Sequence, residues 1–154
     1  MIAFRVDFND VMGGGHLNRC KVLSRELARR GHKTVLLTQQ TSTSHLLEDF
    51  SQILEGDETY LLKNCPKVRA IVFDHYQLDA STHKKYCDLA EKIVCFDDLT
   101  HKKYYCDLIF DANINRKSKE YSQFLVKIGT KILTGQQYQL IDELFSTQEE
   151  LVAF

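Results

Sequence analysis

The sequence predicts an α/β domain built on a doubly wound, mostly parallel sheet with helices on both faces. Three observations predict it. Short strands alternate with helical segments along the whole chain, and right-handed crossovers between parallel strands place such helices on both sides of a sheet. Val68–Phe73 (Val-Arg-Ala-Ile-Val-Phe) ends in a continuous apolar stretch, which suits a central parallel strand buried on both faces. Successive strands also end at acids: Asp74, Asp97 with Asp98, and Asp111. At 154 residues with 44% hydrophobic content, and without an internal repeat or a Pro/Gly/Ser-rich linker, the chain is expected to form one domain.

The first strand is read at Ile2–Val6, followed by a polar, glycine-rich segment ending in Gly13-Gly14-Gly15. A helix starts there, because Leu17, Cys20, Leu23, Leu27 and Ala28 recur at three- and four-residue spacing. Gly31 supplies its left-handed stop. Thr34–Thr38 is rich in β-branched and aliphatic residues and reads as a second strand, with a short helix around Ser44–Phe50 and a third strand at Thr59–Leu62. After Val68–Phe73, Asp79 is placed to cap a helix running to about Glu91. Further strands are expected at Ile93–Phe96, Asp107–Phe110 and Lys131–Thr134, and a terminal helix from Asp142.

Composition excludes several function classes. Twenty Lys and Arg balance 21 Asp and Glu for a formal charge of -1, with the signs mixed, so no basic face for nucleic acid is expected. The His/Lys/Tyr-rich patches at His83–Tyr86 and His101–Tyr105 read as solvated faces and aromatic packing. No stretch has the apolar length of a membrane span or signal peptide, and a cytoplasmic protein is expected. Five cysteines, an odd number with no C-x-x-C pair, read as free and mostly buried thiols. Asp97, Asp98 and the scattered histidines have no recognised ligand spacing, so no metal is expected.

Chemistry concentrates at the glycine loop. Gly13, Gly14 and Gly15 let the backbone turn sharply and approach a ligand, and the helix that follows presents unpaired N–H groups to a phosphate or developing oxyanion. Gly13–His16 lacks the Gly-Lys-Ser/Thr ending of a Walker loop, and Asn18 stands where a dinucleotide fingerprint needs its third glycine. His16, in the first helical turn, is a candidate base. Arg19, at i+3, can orient an acid or contact an anion, whereas Cys20, at i+4, reads as packing and not as a nucleophile. Asp7, just past the first strand, can orient the His16 ring or can tie down the glycine loop through its backbone N–H groups.

The run Arg5-Val6-Asp7-Phe8-Asn9-Asp10-Val11-Met12-Gly13-Gly14-Gly15-His16-Leu17-Asn18-Arg19-Cys20 resembles the start of the bacterial UDP-2,4-diacetamido-2,4,6-trideoxy-β-L-altropyranose hydrolases of pseudaminic acid biosynthesis, a route to flagellin glycosylation. Asp74-His75-Tyr76, Asp97-Asp98-Leu99, Cys106-Asp107 with Asp111 and Asn113, and Gly135 with Tyr138 extend the resemblance over nearly the whole chain.

The resemblance implies a Rossmann-like amino-terminal domain of a glycosyltransferase-B-type fold, distantly like the lipid-II-forming glycosyltransferase. A carboxyl-terminal nucleotide-binding domain is then expected to lie outside residues 1–154, on a separate chain or otherwise. It implies His16 as the base that activates water against the anomeric carbon of a UDP-linked acetamido sugar, with Asp7 placing it. Gly13, Gly14, Gly15, Arg19, Asp74, His75, Tyr76, Asp98 and Asn113 would contact substrate, and no cofactor is required. A catalytically silent binding or assembly module and a glycosyltransferase-related domain are the competing expectations.

Overall fold

A computed structural model describes residues 1–8, 15–40, 46 and 48–140. Its centre is a seven-stranded sheet, every neighbouring pair parallel, formed by β1 (Ile2–Val6), β2 (Thr34–Thr38), β3 (Gln52–Glu55), β4 (Val68–Asp74), β5 (Ala90–Phe96), β6 (Leu108–Asp111) and β7 (Lys131–Thr134) in the order β3-β2-β1-β4-β5-β6-β7. The order reverses direction between β1 and β4. In open α/β sheets the crevice outside the carboxyl ends of the strands at such a reversal is where ligands bind.

Helix α1 (Gly15–Arg29) covers one face, and α2 (Glu58–Asn64) and α3 (Ala80–Lys85) cover the other. Strand pleating sorts the side chains between them. Phe4, Val6, Val72 and Phe96 meet Leu17 and Cys20 of α1. Ala3, Ile71, Phe73, Cys95 and Ile109 meet Leu61, Cys65 and Tyr86 on the far side. Helix α1 ends as its sequence predicts: Gly31 has φ 81, its N–H bonds to Ala28 O, and the His32 N–H bonds to Leu27 O, the paired closure of a Schellman motif.

Four elements differ from the sequence reading. Thr59–Leu62 lies in α2 and not in a strand. Asp57 caps that helix by accepting from Tyr60 N at 2.8 Å, and Leu61 is fully buried, so capping and tertiary packing override the β-propensity of Thr59 and Tyr60. The third strand is instead Gln52–Glu55. Helix α3 stops at Lys85 and not near Glu91, because Tyr86 turns into the core, donates to Glu58 Oε1 at 2.6 Å and starts the turn that feeds β5 at Ala90. Of the helix expected at Ser44–Phe50, the described positions are a lone 3-10 residue at Leu46 and a turn at 48–49, and Leu46 and Phe50 pack into the α1-side core. The helix expected from Asp142 lies outside the described residues.

Four cysteines are buried, Cys87 is half-buried and all five are free thiols. His83 is also fully buried and not on a solvated face. Its ring lies 4.6 Å from that of Phe73, and its Nδ1 accepts from Tyr105 N at 3.4 Å. Burial, reinforced by the charge of Lys102, pushes its pKa down from 6.5 to about 3. The native ring therefore stays neutral at a pH where the unfolded ring takes a proton, so the associated stability is fully present above pH 6.5 and is lost as pH falls toward 3. Urea-unfolding free energies should fall by up to about 1.4 kcal/mol per pH unit from this group between pH 6 and 4. His83→Phe should flatten that slope, and an unchanged slope would assign the acid sensitivity elsewhere.

Candidate functional site

At the carboxyl edge of the sheet, pleating decides which acid meets which helix. Val6 and Asp74 are register partners, and Val6 and Val72 point toward α1, so Asp74 does too. Its carboxylate, fully buried, accepts a hydrogen bond from Nδ1 of His16. Arg19, one turn further along α1, donates Nε to Asp74 Oδ2 at 2.5 Å and Nη2 to Oδ1 at 2.6 Å. Its Nη1 lies 2.8 Å from both oxygens of Asp98, which emerges on the same face just past β5. Burial alone would push the Asp74 carboxyl up, but hydrogen bonds from Arg19 and His16 hold it below the ordinary range. Asp74 is therefore an anion, and Nδ1 of His16 carries the proton between them. Nη2 of Arg19, which donates to Oδ1 of the same carboxylate, also lies 3.1 Å from that nitrogen.

With Nδ1 committed, Nε2 is the nitrogen of His16 left for chemistry, since no described residue bonds to it. The ring of Tyr76 stands edge-on to the imidazole, with centroids 4.4 Å apart and planes at 87°. His16 itself is only 5% exposed. Gly15 opens α1 directly before it, and a Cβ added there would meet nothing within 4 Å. Gly13 and Gly14 lie outside the described residues.

Asp7 occupies the opposite face. It continues the set Ala3, Arg5, Asp7, which points away from α1, and its carboxylate is fully used there. Arg5 donates Nη1 to Oδ1 at 2.7 Å and Nη2 to Oδ2 at 3.0 Å, Gln39 N and Thr38 Oγ1 donate to Oδ1 at 2.7 and 3.1 Å, and His75 Nε2 lies 3.2 Å from Oδ2. The expectation that Asp7 orients His16 is thus corrected: Asp74 does so, and Asp7 is bound into a buried network on the other side of the sheet. Burial opposes ionisation of Asp7, but the bonds from His75 and Arg5 win and hold its carboxyl far below the usual range.

The remaining candidates divide in the same way. His75, next to Asp74, points away from α1 with both ring nitrogens engaged, so its side chain is not presented to a ligand. Asp97 also points away from α1 and accepts from Thr100 N and Tyr121 OH, each at 2.8 Å, whereas Asp98 returns to the α1 face and keeps 29% side-chain exposure. Exposed Asn113 donates Nδ2 to Asp98 O at 3.1 Å. A cavity of about 260 Å³ lies beside Arg19, Asp98 and Asn113, lined also by Phe110, Gln139 and Leu140. Cys20 lies 3.6 Å from Asp74 Oδ2, and burial together with that negative charge pushes its thiol well up, which makes it packing and not a nucleophile.

Sequence reasoning missed two contributors. Arg5 belongs to the glycine-loop motif but had no role assigned, although it is fully buried and also donates Nε and Nη2 to Glu58 Oε2 at 3.1 and 2.9 Å. A buried arginine inside an apolar strand is itself a signal that acids must surround it. Lys102 donates to the His75 carbonyl from a patch that reads as solvated, and nothing in the local sequence marks it.

Among the described residues, no group of His, Cys, Asp and Glu is placed to hold a metal ion, and no helix is long and apolar enough to cross a membrane. The geometry amounts to an Asp–His dyad clamped by an arginine at the reversal point of a parallel sheet. Comparison with protein-family models and with curated proteins returns no match to this chain.

Proposed function

We propose that this chain is the amino-terminal, base-bearing domain of a cytoplasmic UDP-sugar hydrolase of glycosyltransferase-B-type architecture. Its substrate would be UDP-2,4-diacetamido-2,4,6-trideoxy-β-L-altropyranose, a precursor on the pseudaminic acid route to flagellin glycosylation. The observation that carries the reading is the Asp74–His16 dyad: an ionised carboxylate fixes the proton on Nδ1 and leaves Nε2 able to accept another. In the reaction, Nε2 takes a proton from water as the water oxygen bonds to the anomeric carbon. The bond from that carbon to the phosphate oxygen breaks, and UDP leaves with the electron pair. No metal or cofactor enters the scheme.

The charge of Arg19 is already matched by Asp74 and Asp98, so the leaving diphosphate needs other positive or N–H groups. The start of α1 supplies N–H groups, and a second domain, on this or a partner chain, would supply the rest. Asp98 and Asn113, which line the 260 Å³ cavity, would accept hydrogen bonds from sugar hydroxyl or acetamido groups. A catalytically silent assembly module is the second reading, favoured by the small exposure of His16.

Incubating the chain with the UDP-sugar, alone and with a matching carboxyl-terminal domain, separates the two. UDP and free sugar formed only in the mixture, and lost with His16→Ala, are the expected result. No product in any arrangement would leave the silent module.

A further inference from the structure

The ring of His75 is tied down at both nitrogens. Nδ1 receives two backbone N–H groups, from Gln77 at 3.0 Å and from Leu78 at 3.3 Å, so its lone pair is used and it carries no proton. Nε2 then holds the ring proton and directs it at Asp7 Oδ2, 3.2 Å away. Asp7 is in turn gripped by Arg5. The ring thus bridges the end of β1 and the turn that follows β4.

That turn carries Tyr76, and its geometry matters to the site. His75 and Tyr76 are consecutive and point in opposite directions, so fixing the first ring on the far side of the sheet aims the second ring at His16. Other ties on the turn are Lys102 to the His75 carbonyl, Nε2 of the exposed His101 to the Tyr76 carbonyl at 3.1 Å, and the His101 ring, whose centroid lies 6.3 Å from that of Tyr76. None of these engages the N–H groups of Gln77 and Leu78, which are left to the imidazole. Without that acceptor, two N–H groups lose their partner and the turn loses the restraint on its N–H side.

We infer that His75 is a positioning residue, whose Nε2–H tautomer holds the turn 75–78 and thereby keeps Tyr76 edge-on against His16. The consequence for turnover rests on the reading of His16 as the base, but the clamp itself does not. Tyr76 packs edge-on against the His16 ring and restricts its rotation, so that Nδ1 stays on Asp74. His75 therefore belongs to the site without touching a ligand.

Two conservative substitutions divide the clamp. The amide of His75→Asn places an oxygen near the position of Nδ1, preserving the acceptor for Gln77 and Leu78 while giving up Asp7. His75→Gln reaches Asp7 with its amide nitrogen but removes the acceptor from the turn. Long-range proton–nitrogen spectra of the unsubstituted chain at neutral pH should show His75 with Nε2 protonated and Nδ1 bare. The Tyr76-to-His16 ring cross-relaxation should persist in His75→Asn and fall several-fold in His75→Gln, with amide dispersion checking that both remain folded.

A proton on Nδ1 in the unsubstituted chain would overturn the inference even if both variants failed to fold. So would a ring contact that survives in His75→Gln. None of these readouts needs turnover, so failure of the hydrolase reading would appear as absent UDP release in all chains while the clamp signals stood unchanged.

Discussion

Asp74→Asn should leave the chain folded but lower UDP release, measured with the complementary domain present, by about 10²–10⁴-fold, the range set by losing a positioned base. The Oδ1 of the carboxylate accepts from Nδ1, whereas an amide turned to keep Arg19 Nε on an oxygen at the Oδ2 position presents its NH₂ group to the imidazole and to Nη2. The ring then places its proton on Nε2, where it faces the water it was meant to deprotonate. Arg19 keeps Asp98, so the stability cost stays at about 1–3 kcal/mol, that of one weakened charged hydrogen-bond set. Turnover within tenfold of the unsubstituted enzyme would remove the dyad from the mechanism. Thermal unfolding of the same sample separates this effect from loss of fold.

The largest expected effect on stability belongs to Arg5→Met. Arg5 is fully inaccessible, and it holds Asp7 through two parallel hydrogen bonds and Glu58 through two more. Methionine fills much of the same volume but leaves two acids without their cation, a change that costs about 3–5 kcal/mol when the pair is buried. Glu58 is partly relieved by its 23% side-chain exposure and by Tyr86, so the lower end of that range is expected. Against a typical total of about 5–15 kcal/mol this is a large fraction, readable as a shift in the urea midpoint. Arg5→Lys should recover little, because an ammonium cannot present the planar fork that both acids grip. A loss below about 1 kcal/mol would mean that water, and not the guanidinium, satisfies these carboxylates.

Much of the fold is legible because apolar runs and their spacing are local properties. Ile2–Val6, Thr34–Thr38 and Lys131–Thr134 are strands over the residues that their composition marks, and α1 runs from the glycine loop to the Gly31 stop. Errors fall where a distant partner decides. Thr59–Leu62 looks like a strand until Asp57 caps it and Leu61 finds the core, and the helix after Asp79 is cut short by the burial of Tyr86.

The site divides in the same way. His16, Arg19, Asp74 and Asp98 are visible as residue types at strand ends and in a helix's first turns, but their pairing is not. Whether Asp7 or Asp74 meets His16 depends on which pleat face each occupies and on the register Val6↔Asp74, a relation between segments far apart in the chain. No periodicity within either segment contains it.

The all-parallel order has a consequence for how the protein comes into being. Neighbouring strands that run the same way cannot be closed by a tight hairpin, so no strand pair can zip from a local nucleus. His16 and Asp74 stand 58 positions apart, with two further strands and a helix threaded between them. Loop-closure entropy must be met before their contact gives anything back, which makes acquisition of structure slow for the chain's size. On a ribosome, the two halves of the dyad can meet only after β4 has cleared the exit tunnel, so any assay of nascent chains should find the imidazole unpaired until then.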